Sequence, residues 1–276
     1  MTKTVPKELL PVLNKPLIDY IIEELIEAEV NQIGIVTSSK KPLIKEYLTS
    51  LTQPHTLLSK YPSVDLQFIY QETPNGLGNA ILEAKEFVDN SPFIVCLPDD
   101  LVFHHISAVK QLQNKYKSLQ HSLVGVVPVP TDKTSNYGIV KPHNRLEEVS
   151  FTAEYFVEKP IPENAPSNLA VIGRYLFTSE VMDLLDKYSG LVPDDDLLTK
   201  AKNELAQESS VSALRISGTR IDAGSALGIT QAAIHELSRQ PEEWGQINSF
   251  LSLSLIHISE PTRRYAISYA VICLKK

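Results

Sequence analysis

The chain has 276 residues, 43% hydrophobic and 21% charged, with a formal net charge of −7. That profile fits one large globular domain or two small ones, and basic residues form no run, which argues against nucleic acid or an anionic membrane as partners while leaving a local phosphate pocket open. No apolar run spans a bilayer and no signal-peptide pattern opens the chain, so a cytoplasmic protein is expected, with Cys96 and Cys273 as free thiols.

The first periodic segment is "PLIDYIIEELIEAEV", with Leu17, Ile21, Ile22, Leu25 and Ile26 at helical spacing. "QIGIVTS" follows as a β-branched strand from Ile33 to Thr37, and "KPLIKEYL" reads as helix. "LTQPHTLLSKYPS" is a loop or broken helix. "DLQFIYQ" is a strand, "GLGNAILEAKEFV" a helix begun by glycines, and "PFIVCLPDD" an apolar strand running into two aspartates. A helix "ISAVKQLQNKYKSL" and a strand "SLVGVVPV" complete a strand–helix alternation that predicts an α/β domain with a mainly parallel sheet. Beyond it, "YGIVKPHNRLEEVSF", "EYFVEKP" and "NLAVIGRYLFT" read as strands, some of them an antiparallel addition. "SEVMDLLDKYS" is a helix with Ser179 as a plausible N-cap, "SVSALRI" and "TRIDAG" are strand and turn, and "SALGITQAAIHELSRQ" is a final helix.

Ligands of open α/β sheets bind at the carboxyl ends of strands, and four polar clusters fall there. Asp99-Asp100 follows an apolar strand, where carboxylates can hold a hard divalent cation while phosphates complete its shell; capping the next element is the alternative use. In "QETPNGLGNA" a glutamine leaves a strand and two glycines open a helix. Glutamine can read both edges of a base, although an ordinary turn needs the same residues. "FVEKP" sets Glu158 and Lys159 side by side at a strand end, one to accept from sugar hydroxyls and one to reach a phosphate, or simply as solvated charges. In "RIDAG", Asp222 could add a second carboxylate to the metal. The histidines lack zinc-site spacing, no Ser-His-Asp pattern has support, and neither GxxxxGK[ST] nor GxGxxG occurs.

Taken in order, "TKTVPKELLPVLNKP", "QETPNGLGNA", "LPDDL", "NYGIV", "FVEKP", "APSNLAVIGRYLF" and "RIDAGSALG" resemble the bacterial UTP–glucose-1-phosphate uridylyltransferase (UDP-glucose pyrophosphorylase) family over nearly all of residues 2–250. The resemblance implies a Rossmann-like nucleotidyltransferase fold: a mixed, mainly parallel central sheet with helices on both faces. It implies UTP and glucose 1-phosphate as substrates, Mg²⁺ as cofactor and a possible homo-oligomer. It assigns Lys7 to the nucleotide phosphates, Glu8, Gln71 and Gly76 to the uracil, and Asp99 and Asp222 to Mg²⁺. Gly138, Glu158, Gly173 and Asp195 fall to the glucose, and Lys159 to its phosphate. Lys7, Lys159 and Asp99 would be catalytic, by positioning and charge neutralisation. Another sugar-1-phosphate nucleotidyltransferase, or a non-catalytic nucleotide-binding relative, is the alternative.

Three departures qualify the resemblance. Pro98 stands where the family has glycine, and "DDDLLTKA" (Asp194 to Ala201) stands for "GEIQLTDA", giving Asp195 a shorter reach than the family's glutamate. The family's first strand and glycine-rich "GLGTR" loop do not precede "TKTVPKE" here. An N-terminally truncated domain over 1–252 with impaired activity is therefore expected. Finally, "LSLIHISEPTRRYAISYAVICLKK", residues 253–276, matches the translation of a sequencing-library adaptor through Leu253–Arg263 and again near the end, apart from Ile272; a genuine amphipathic tail is the alternative. Without it, 22 basic residues face 32 acidic ones.

Overall fold

The computed structural model describes residues 5–49, 61, 63–143 and 148–258, with side chains through 252. Two compact units divide the chain, residues 1–232 and 233–276. The loop or broken helix expected over 51–63 falls almost wholly outside the described residues, as do 259–276.

The first unit begins with a 3₁₀ turn, Lys7–Leu9, and a minimal hairpin of β1 (Pro11–Val12) and β2 (Lys15–Pro16). Helix α1 (Leu17–Glu27) buries Leu17, Ile21, Ile22 and Leu25 of the stripe its spacing predicts, with Ile18 buried beside them and Ile26 only half-buried. It also buries Glu24, which no stripe argument anticipates. Strand β3 (Gln32–Thr37) leads to α2 (Pro42–Thr49), and β4 (Asp65–Tyr70) pairs with β3 in parallel, Thr37 opposite Tyr70. Helices α3 (Gly76–Glu83) and α4 (Lys85–Val88) precede β5 (Phe93–Cys96). Then come β6 (Asp100–Phe103), α5 (Ala108–Leu119) and β7 (Ser122–Pro128). The Ser107 hydroxyl caps α5 by accepting from the Lys110 amide at 3.2 Å.

Strands β8 (Gly138–Pro142), β9 (Ser150–Glu158), β10 (Leu169–Phe177) and β11 (Val211–Arg215) join β5 and β7 in a six-stranded sheet ordered β5-β10-β7-β11-β9-β8. Here the expectation of a mainly parallel sheet is corrected. Only β7–β11 pairs in parallel within it; the other ladders are antiparallel. The strand–helix alternation of the first half does give the parallel β3–β4 ladder, but β5 takes its neighbour from the second half. All nine residues of β10 are buried, so it serves as an interior strand and enters against β5 and β7 in the opposite direction. Helices cover both faces, as expected. Helix α3, α6 (Glu180–Tyr188) and α7 (Leu197–Gln207) pack Ile81, Val181, Leu185, Leu197 and Ala201 on one face; α5 packs Ala108 and Leu112 on the other.

Ser179 precedes α6 but makes no side-chain cap. Its backbone is already helical, so its hydroxyl is not aimed back at the free amides. Strand β12 (Thr219–Asp222) pairs antiparallel with β6, and α8 (Ala226–Ser238) follows. In the second unit, α9 (Pro241–Ile258) was not anticipated, although proline and two glutamates in its first turn are ordinary helix-start residues.

Candidate active site

The β6–β12 ladder sets Asp222 opposite Asp100, with Asp99 one residue earlier and its carbonyl accepting from the Ala223 amide at 2.7 Å. The carboxylates of Asp99 and Asp222 converge beside Gly224. A Cβ there would lie 2.9 Å from Asp222 Oδ1 and 3.3 Å from Asp99 Oδ2. Two hard oxygen donors at one place fit a divalent cation that keeps water and takes phosphate oxygens for its remaining positions. Among the described residues no group of three or more His, Cys, Asp or Glu side chains gathers to complete a shell. Lys7 reaches this point from the N-terminal 3₁₀ turn, its Nζ 2.5 Å from Asp99 Oδ2.

Asp100 has a different task. It is buried, and its Oδ2 accepts from the Gly173 amide at 2.7 Å while Arg220 Nε donates to its Oδ1 at 2.6 Å. Burial works against the Arg220 charge, but these bonds outweigh it and raise the guanidinium pKa. Arg220 also donates to the Tyr137 hydroxyl at 3.0 Å. The β10 ladder shifts register between Val171 and Tyr175, which frees the Gly173 amide to face Asp100 instead of a neighbouring strand.

A cavity of about 290 Å³ opens there, and Asp99, Gly138, Glu158, Gly173, Asp195 and Asp222 all line it. Gly138 pairs with Glu158 across β8 and β9, and Thr199 of α7 donates to Glu158 Oε2 at 3.5 Å. Asp195 comes from the 3₁₀ turn Asp194–Asp196 just before α7. Lys159 is not in the lining. Its φ of +45° turns the chain sharply out of β9, leaving the ammonium on the rim, 3.6 Å from Glu158 Oε1.

Two of the residues expected to read a base, Glu8 and Gln71, lie elsewhere, at the carboxyl ends of β3 and β4. Glu8 is tied by Lys41 at 2.9 Å, and the Gln71 amide donates to the Thr37 carbonyl at 2.7 Å. Glu8 Oε2, Thr37 Oγ1 and Gln71 Nε2 are buried atoms without a hydrogen-bond partner. Buried polar atoms are rarely left so, and a small group of them marks where a polar ligand would bond. Gly76 opens α3 at φ +77°, and the nearest atom to a Cβ there would be the Asp194 carbonyl oxygen at 2.8 Å. Its glycine is therefore demanded by the chain beneath it as well as by any ligand.

Three cavity residues escaped the sequence reading. Arg220 lies two residues before Asp222 on one strand, so period-two alternation puts it on the same face and could have found it. Tyr137 precedes a glycine that was noticed, but its partner Arg220 is 83 residues away. Lys202 lines the cavity from α7, and only the helix's buried face reveals it.

The chain is similar to known proteins in sequence and in fold. Residues 1–242 match the nucleotidyl transferase family. The chain is 35% identical to the UTP–glucose-1-phosphate uridylyltransferase of Streptococcus pneumoniae, covering 91% of this chain and 89% of that one. It is also 35% identical to the enzyme of the same name from Staphylococcus epidermidis, with 91% of each covered. Among solved structures, a UDP-glucose pyrophosphorylase complexed with UDP-glucose superposes with a TM-score of 0.78 at 34% identity, over 86% of this chain and 92% of that one. UTP-bound UGPase from Acinetobacter baumannii superposes with a TM-score of 0.79 at 32% identity, over 90% and 92%. With converging carboxylates, a polar cavity and relatives matched along nearly their whole length, the chain belongs to the UTP–glucose-1-phosphate uridylyltransferase family of nucleotidyl transferases.

Proposed function

We propose that this protein transfers a uridylyl group from UTP to glucose 1-phosphate. A phosphate oxygen of the sugar phosphate forms a bond to the α-phosphorus of UTP. The bond from that phosphorus to the bridging oxygen breaks, and pyrophosphate leaves with the electron pair. Such chemistry needs positioning and charge neutralisation and no protein nucleophile. The observation that carries the reading is the group of unpartnered buried atoms on Glu8, Thr37 and Gln71, in a molecule that also holds a carboxylate-lined cavity. Uracil offers an N3–H donor next to carbonyl acceptors. Glu8 accepts from the first, and Gln71 donates to one of the second.

Asp99 and Asp222 would hold Mg²⁺, which supplies charge neutralisation on the phosphates. Lys7 takes nucleotide phosphate charge, and Lys159 holds the sugar phosphate at the cavity rim. Glu158 and Asp195 accept from sugar hydroxyls, with Gly138 and Gly173 leaving room for the ring. The test is pyrophosphate release with glucose 1-phosphate, Mg²⁺ and each of UTP, CTP, ATP and dTTP. UTP is expected to be preferred, and Asp222→Asn to lower kcat by about a hundredfold or more. No release with any nucleotide at saturating concentrations would overturn the reading.

A further inference from the structure

Lys202 is 2% exposed, yet it belongs to the wall of the cavity. Lysine is among the residues least often buried without a partner. Here the Nζ makes no hydrogen bond or ion pair with any described residue; it sits over the Phe156 ring, 4.7 Å from its centroid. Burial pulls the amine down to about 8, against the opposing charge of Glu158. A donor left unpaired in the wall of a binding cavity lacks a partner that a ligand can supply.

The surroundings define that ligand. Leu198, Thr199 and Lys202 share one face of α7, because positions three and four apart lie together, and all three line the cavity. Thr199 bonds Glu158, so donor and acceptor side chains meet at one end of the space. Glu158 and Asp195 line it too, and a carboxylate set between them in place of a hydroxyl would be repelled. A neutral group with hydroxyls suits the set. One hydroxyl donates to Glu158 and its neighbour accepts from Lys202.

Resting on the sugar-phosphate reading of this cavity, we propose that Lys202 is a specificity-determining residue that pairs with Glu158 to read adjacent hydroxyls of a neutral hexosyl group. Lys202→Met keeps the length of the stem and removes the donor. The experiment is calorimetric titration of wild type and Lys202→Met with UDP, UDP-glucose and UDP-glucuronate in the presence of Mg²⁺, with circular dichroism as a check on folding. The variant is expected to lose about tenfold in affinity for UDP-glucose and to bind UDP as the wild type does. Equal binding of UDP-glucose by both proteins would overturn the assignment of Lys202 alone. Tighter wild-type binding of UDP-glucuronate than of UDP-glucose, lost in the variant, would overturn the hydroxyl reading in favour of an anion. Failure of the wild type to bind either UDP or UDP-glucose would instead overturn the proposed function, and this inference with it.

Discussion

Lys202 and Glu24 show two ways in which this molecule keeps charge away from water. Burial lowers the folded-state pKa of Lys202 from 10.5 to about 8, a shift worth roughly 3 kcal/mol. Below pH 8 the folded protein bears that cost in full. Between pH 8 and 10.5 the unfolded chain keeps its proton while the folded one has released it, so this group's contribution to stability improves as pH rises. The melting temperature of Lys202→Met should therefore exceed that of wild type most at pH 7, and the gap should close towards pH 10.5; a gap independent of pH would disprove it. Glu24 is met by Arg174, which is wholly buried and donates to it from Nη2 at 2.7 Å and from Nε at 3.1 Å, while the Val109 amide donates to the same carboxylate at 2.9 Å. Glu24→Ala leaves the guanidinium buried and unanswered and should cost about 3–5 kcal/mol in urea denaturation. Replacing both residues by apolar ones of similar volume should recover much of that loss. Neither residue was legible in the sequence. Helical spacing identified the apolar stripe of α1, but a glutamate within that stripe declares itself only through a partner 150 residues away.

At the scale of elements, α8 and the end of β12 meet backbone to backbone at Gly228. A Cβ on Gly228 would stand 1.7 Å from the Asp222 carbonyl oxygen. That atom belongs to backbone, so it cannot rotate aside as a long side chain could. Gly228→Ala must push the helix and the strand end apart, and it should lower stability by about 1–3 kcal/mol. Because the same strand end presents the Asp222 carboxylate, the variant should also lose nucleotide turnover in the pyrophosphate assay out of proportion to its lost stability. Full turnover in the surviving folded fraction would refute that link. The elements themselves were largely readable from apolar period and turn residues: α1, β3, α5, β7 and β10 lie where periodicity predicts them, whereas "TRIDAG", which reads as a turn, carries β12 up to Asp222. Pairing direction was not readable. Sequence alternation describes neighbours along the chain, and the antiparallel partner of β5 comes from β10, about eighty residues later.

For the whole molecule, the expected substrates act as folding ligands. A nucleotide that bonds Glu8 and Gln71 and shares a cation with Asp99 and Asp222 binds the native state alone. At a hundred times its dissociation constant it should add about 2.7 kcal/mol to the stability of the first unit. UTP with Mg²⁺ should then raise the melting temperature, and a chelator should remove most of that rise. A chelator-independent rise would argue that the carboxylates hold no metal. Most of the site residues named from sequence motifs lie in or against the cavity, while Glu8 and Gln71 lie at the ends of β3 and β4. Each motif was legible because it sits at a strand end, where a short run of residues carries the chemistry. Three other residues of the cavity lining were not, because Arg220 and Tyr137 bond each other across 83 residues and Lys202 is placed only by the buried face of α7.

The register shift in β10 has a consequence for fidelity of folding. Side chains along a strand alternate, so a slip of one residue would turn Arg174 towards the cavity and swing the Gly173 amide away from Asp100. A run of nine buried residues offers few apolar cues against such a slip, since nearly every position is content on either face. The Arg174–Glu24 pair supplies the missing cue. In the slipped arrangement Glu24 would lie buried without its guanidinium, so this ion pair proofreads the alignment of the strand that walls the cavity.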